Sequence, residues 1–215
     1  MPAAERGYLC AFQRKVSVSM HAVLRKNQFF VQQQLGLLEM GKHFDIFDPL
    51  TQQPIIECRE LEHRHFTRLL RILNWEALRP LHAELRTPEG KRVLRLQKCF
   101  SLLAVKIAIY DGNGGLVGYC QRMRQRTGSF RILDPDERFI GELHSDQDNF
   151  LYRFVQNGQE LACVSDHPWS LPKELRNHHH AYLLELNPGL APESPLRLLI
   201  LAALLARQMH GTNPA

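Results

Sequence analysis

The sequence predicts an all-β fold with one central helix, a closed antiparallel barrel of about twelve strands around a buried hydrophobic C-terminal helix. Three features of the chain lead there. Turn-forming segments recur at near-regular intervals, their flanks alternate apolar and polar residues, and the last helical segment is apolar on every side.

The turn segments are Asp48-Pro49-Leu50-Thr51, Thr87-Pro88-Glu89-Gly90, Asp111-Gly112-Asn113-Gly114-Gly115, Asp134-Pro135-Asp136-Glu137 and Gln156-Asn157-Gly158-Gln159. Each presets φ with Pro, offers Gly or Asn for a positive φ, or closes an Asx turn with Asp, as hairpins require. After the first interval they lie about 21–24 residues apart, which is two strands with their connections and predicts an antiparallel meander. The flanks fit. Leu81, Ala83 and Leu85 alternate with His82, Glu84 and Arg86, and Ile107 and Ile109 alternate with Lys106, Ala108 and Tyr110. Phe130 and Ile132, then Phe139, Gly141 and Leu143, then Phe150, Tyr152 and Phe154 continue the inward set. Phe29–Gln34 and His179–Leu186 supply the strands before the first turn and after the last hairpin.

Two segments break the period of two. In 66–73, Phe66, Leu69, Leu70 and Leu73 have helical spacing opposite Arg68 and Arg71, which predicts a short amphipathic helix at one end of the barrel. The second runs from Ser194, an N-cap, through Pro195 at the first helical position to His210, with Gly211 as the stop. Its run from Leu198 to Ala206, with Leu199, Ile200, Leu201, Leu204 and Leu205, is apolar all round and must be buried. Nine residues rise only about 14 Å, half the thickness of a bilayer core, and Arg197 and Arg207 bracket them. A lumen twelve strands wide is the remaining place for it.

The 215 residues carry a net charge of +5, placed unevenly. Residues 1–27 hold five basic groups, Arg6, Arg14, Lys15, Arg25 and Lys26, against Glu5 alone, whereas residues 28–191 hold twenty charges of each sign. The division expected is a basic N-terminal arm over 1–27 and a single barrel domain over 28–211. The arm reads as either a disordered solubilising tail or a weak contact for anionic lipid. A neutral body gives no sign of a nucleic-acid-binding face. Mean hydropathy is −0.29, and no apolar run approaches the ~20 residues of a spanning helix. The five cysteines are odd in number and form no C-x-x-C pair, which fits a reducing compartment; Cys10 reads as an exposed thiol, with lipidation the rival reading. Tyr8 to Phe12 is too short for the apolar core of a cleaved signal, so a cytoplasmic protein, at most peripheral at a membrane, is expected.

Several stretches, in collinear order, carry a family likeness. They are Phe44-Asp45-Ile46-Phe47-Asp48-Pro49, Glu57-Cys58-Arg59-Glu60, Phe66-Thr67-Arg68-Leu69-Leu70-Arg71, Leu85-Arg86-Thr87-Pro88-Glu89-Gly90 and Tyr182-Leu183-Leu184-Glu185-Leu186-Asn187-Pro188 leading into Arg197-Leu198-Leu199-Ile200-Leu201-Ala202-Ala203. Together, from about Phe29 to Met209, the chain resembles the tubby-like C-terminal fold in its LURP-one-related and phospholipid-scramblase-related branch. The resemblance implies a twelve-stranded barrel around a central hydrophobic helix. For activity it implies less, because the relatives include phosphoinositide-binding tubby domains and scramblases, and fold does not settle function.

Motifs for chemistry are weak. Gly112-Asn113-Gly114-Gly115-Leu116-Val117-Gly118 departs from a dinucleotide loop at Val117 and is followed by a strand, so a hairpin is the better reading. Asp146-Gln147-Asp148-Asn149 opens like a calcium loop but has Phe150 and Leu151 where an oxygen ligand and Gly are needed. His178 and His180 with His167, and His63 and His65 beside Glu60 and Glu62, have no convincing third and fourth ligands. There is no G-x-S-x-G, and Ser129 falls in a hairpin strand. No metal, cofactor or catalytic residue is expected. The candidate contacts are the arm's basic residues together with Trp169 and Lys173, in a Pro-flanked loop that serves either as a lipid or ligand contact or as a cap on the barrel end. The function expected is a non-enzymatic barrel at a phospholipid surface, and the alternative is a cytosolic module binding a small apolar ligand or a protein partner.

Overall fold

The computed structural model describes residues 20–34, 43–61, 81–99, 105–123, 129–145, 151–165 and 181–209. A short 3-10 helix, Ala22–Arg25, precedes twelve strands: β1 (Gln28–Gln34), β2 (His43–Phe47), β3 (Pro54–Glu60), β4 (His82–Arg86), β5 (Arg92–Cys99), β6 (Lys106–Asp111), β7 (Leu116–Arg122), β8 (Phe130–Leu133), β9 (Phe139–Ser145), β10 (Leu151–Gln156), β11 (Gln159–Ser165) and β12 (Ala181–Leu186). Each strand pairs antiparallel with its sequence neighbours, and β1 pairs with β12, for example Phe29 with Leu184, which closes the barrel. Closure leaves no free sheet edge.

The five hairpins read from the sequence are present. They all lie at one end, because the order is a strict meander. The residue that opens each, Asp48, Thr87, Asp111, Asp134 or Gln156, is buried and polar. Asp48 Oδ1 accepts from Leu50 N, Asp111 Oδ1 from Asn113 N and Gly115 N, and Asp134 Oδ1 from Arg138 N, all at 2.8–3.0 Å. These bonds satisfy turn amides that the ladder cannot reach. Positive φ falls on Gly90, Gly114 and Gly158 as turn chemistry requires, but also on Gln52, Glu137 and Asn157.

The helix α1 (Pro195–Met209) threads the lumen, and all fifteen of its residues are buried. Leu196 N donates to Ser194 Oγ, so the expected cap is in place. Leu198, Leu199, Ile200, Leu201, Leu204 and Leu205 are at most 1% exposed, in one cluster with Phe29, Phe44, Ile109, Phe130 and Phe154 from the wall. Ile109 pairs with Gly118, whose missing side chain makes room for Leu199. Outside the wall, Phe30, Ala181 and Phe47 form a second small cluster.

One expectation needs correction. Phe139 shares its parity with Gly141 and Leu143 yet is 53% exposed, because the register shifts between Ile132 and Leu133 and turns its ring outward. Arg197 and Arg207, which bracket the apolar run, are themselves buried, 2% and 9% exposed, the first hydrogen-bonded to backbone carbonyls and the second stacked 3.7 Å from the centre of the Tyr152 ring. The amphipathic segment 66–73 lies outside the described residues. So do His63, His65, His167, His178, His180, Cys10 and the loop Asp146–Asn149.

Candidate functional site on the outer barrel wall

Because α1 fills the lumen, ligand contact falls to the outside of the barrel and its ends. Strand periodicity sends every second residue outward, and on β5 to β9 that set is both aromatic and basic. Arg95 pairs across to Tyr110, with its guanidinium carbon 4.4 Å from the ring centre. Lys106 Nζ lies 4.1 Å from the centre of the Tyr119 ring, and Arg131 lies 5.6 Å from that of Phe139. The ladder makes these pairs one patch, since Ala108 faces Tyr119, Tyr119 faces Leu133, Leu133 faces Phe139, and Gln121 faces Arg131.

The patch holds its cations in different ways. Lys106 also reaches Glu137 Oε1 at 2.7 Å, so its charge is shared between ring and carboxylate. Arg131 is exposed and sits opposite Glu142, which itself lies 2.7 Å from His144 Nε2. Burial raises the pKa of Tyr119 while Lys106 opposes that shift, and the phenol stays protonated. Phe139 is the exposed apolar element. An aromatic ring beside basic side chains, of which Arg131 is exposed while Arg95 and Lys106 are half-buried, can meet an apolar layer and an anionic one together.

The predicted contacts Arg25 and Lys26 sit at the hairpin end. They are not on a free arm: Leu24 is 1% exposed and packs on the core, Arg25 pairs with Glu193 at 2.8 Å, and Lys26 pairs with Asp48 at 2.7 Å. The hydrogen bond from Lys26 holds the Asp48 carboxyl below its ordinary range. Both basic residues line a groove of about 820 Å³ together with Leu50, Leu161, Cys163, Glu185 and Pro188. Burial and the Glu160 carboxylate push the Cys163 thiol upward, which works against a thiolate nucleophile there. Cys58 and Cys120 are fully buried, and burial shifts them upward as well. Arg6, Arg14, Lys15, Trp169 and Lys173 lie outside the described residues. The strand ends that flank Trp169 and Lys173, Ser165 and Ala181, are at the end of the barrel opposite Arg25 and Lys26.

Among the described residues no group of three or more His, Cys, Asp or Glu side chains could hold a metal ion. No described helix is long and apolar enough to cross a membrane. No protein-family model, curated protein or solved structure matches the chain. The outer patch was missed in the sequence although its signal was there, in the Lys106, Ala108, Tyr110 positions opposite the inward isoleucines.

Proposed function

We propose that this chain is a non-enzymatic barrel protein, cytoplasmic and peripheral at the membrane, that associates with anionic phospholipid through the outer face of β5 to β9. The observation that carries the reading is the patch in which Arg95, Lys106 and Arg131 lie over Tyr110, Tyr119 and Phe139, with Phe139 half exposed. Each basic residue close to an anionic surface contributes about 1 kcal/mol, and an aromatic ring at headgroup depth adds apolar contact. The likeness to tubby-like and scramblase-related proteins supports the same class of partner. Arg6, Arg14 and Lys15 add long-range attraction in this reading, and Trp169 and Lys173 are further contacts. The test is co-sedimentation with vesicles of phosphatidylcholine alone or mixed with phosphatidylserine, over a range of salt. Capture by the anionic vesicles that weakens as salt rises is expected. Equal capture by both compositions, or none at low salt, contradicts the reading.

The groove at the hairpin end favours a second reading, a cytosolic module for a small apolar ligand or a protein partner. Leu50 at its rim is 85% exposed, and Leu161, Leu186 and Pro188 line it beside charged residues. A failure of vesicle capture at low salt shifts the weight to this site.

A further inference from the structure

The chain entering β1 crosses the hairpin end of the barrel as a strap, Met20–Asn27, with Leu24 inserted into the core and Met20 and Val23 packed against it. A four-residue 3-10 helix makes few bonds of its own, so its last carbonyls need outside donors. They find one in the lumen helix. Arg197 Nη1 donates to the carbonyls of Leu24, Arg25 and Lys26 at 3.5, 3.2 and 2.9 Å, and Nη2 donates to Asn27 Oδ1 at 2.7 Å. Its other bonds, from Nε to Ala191 O and from Nη2 to Leu190 O, tie in the turn that leads into α1. None of these acceptors is a carboxylate. Such an arrangement is costly for a buried cation unless every donor is used, and the planar fork of Arg can use them where an ammonium cannot.

We propose that Arg197 is a latch: by gathering the strap's carbonyls it seats Met20–Asn27 over the lumen end, and the strap opens as a separate unit when the latch is weakened. The consequence reaches the groove, because Arg25, Lys26 and Asn27 form part of its lining. The groove therefore exists in this shape only while the strap is seated. Opening uncovers Leu24 and the N-terminal turn of α1, so the latch sets both the apolar exposure of this end and the position of its two basic side chains.

The test is amide hydrogen exchange, read on peptides from the strap and from β6 and β7, in the full chain and in Arg197→Lys, Asn27→Ala and the double variant. Arg197→Lys keeps the charge and loses the fork; Asn27→Ala removes one side-chain acceptor and is the milder change. Both are expected to speed exchange in the strap, at least tenfold for Arg197→Lys, while β6 and β7 keep wild-type protection. The double variant should exchange more slowly than the product of the single effects, because both changes act on one contact. Unchanged strap exchange in a folded variant overturns the proposal. So does a parallel rise in β6 and β7, or loss of folding in both single variants, since either outcome makes Arg197 a general support of the barrel.

Discussion

At Gly118 the wall and the helix meet with no space for a side chain. A Cβ there would overlap the Leu133 carbonyl oxygen and lie 3.3 Å from Leu199 Cδ2. Gly118→Ala therefore has to push the β8 backbone or the helix, and overpacking of this kind costs about 1–3 kcal/mol, which a urea titration would detect as a lowered midpoint. A midpoint equal to wild type would show that the β8 backbone and Leu199 yield to the added methyl without cost. Leu201 makes the complementary case: it is 1% exposed, and Leu201→Asp places a charge in the lumen with no partner, so the variant is expected to be insoluble or unfolded. Single-residue features were unevenly legible. An all-apolar run can only be buried, and the helix leucines were read correctly for that reason. Phe139 was misread because a bulge changes parity without a mark in the sequence, and nothing in the sequence marked the carbonyls that surround Arg197.

The hairpins and the 3-10 helix carry the lessons at the scale of elements. Turn chemistry was readable from Pro, Gly, Asn and Asp, yet two left-handed positions are held by Gln52 and Glu137, with φ of 57° and 64°. These residues gave no signal because the Asp48 and Asp134 side chains close the turns without needing glycine. A non-glycine residue pays about 1–2 kcal/mol in that region, and glycine adds about 0.5–1 kcal/mol of chain entropy to be lost. Gln52→Gly should then raise stability by about 0.5–1 kcal/mol in a urea melt, and a drop would mean that the Gln52 side chain supplies a contact of its own. The 3-10 helix has a pH dependence with a definite sign. His21 Nδ1 accepts from Val23 N at 3.3 Å, which requires neutral imidazole. Burial and Lys91 lower the His21 pKa, with Glu89 opposing, so the folded chain releases this proton more readily than the unfolded one. Its contribution is full above the unfolded value of about 6.5 and is lost as pH falls through the folded value. The protection of Met20–Asn27, taken against the intrinsic amide exchange rate at each pH, should fall as pH drops below about 6.5, and His21→Asn, with an acceptor that does not titrate, should abolish that change in protection. An unaltered pH profile in His21→Asn would remove the imidazole from the account.

For the molecule as a whole, barrel closure and the threaded helix depend on each other. Regular turn spacing and an apolar terminal run were enough to read both. The surface was harder to read, because any outward strand position looks merely polar until neighbouring strands set Arg95 beside Tyr110 and Arg131 near Phe139. Truncating one buried Leu costs about 2–5 kcal/mol against a typical domain stability of about 5–15 kcal/mol, so deletion of Leu196 to Met209 should leave no soluble fold. A soluble truncation that melts cooperatively would contradict a lumen filled by the helix. The patch on the outer wall is tested most directly by vesicle partition of three proteins: wild type, a variant with Arg95, Lys106 and Arg131 changed to Gln, and one with Arg6, Arg14 and Lys15 changed to Gln. Three near-surface charges supply up to about 3 kcal/mol, and a tenfold loss needs only about 1.4 kcal/mol. The expected result is that binding of the patch variant to phosphatidylserine vesicles falls at least tenfold, with its melting temperature within a few degrees of wild type, while the arm variant loses less. A folded patch variant that binds as tightly as wild type would contradict the account.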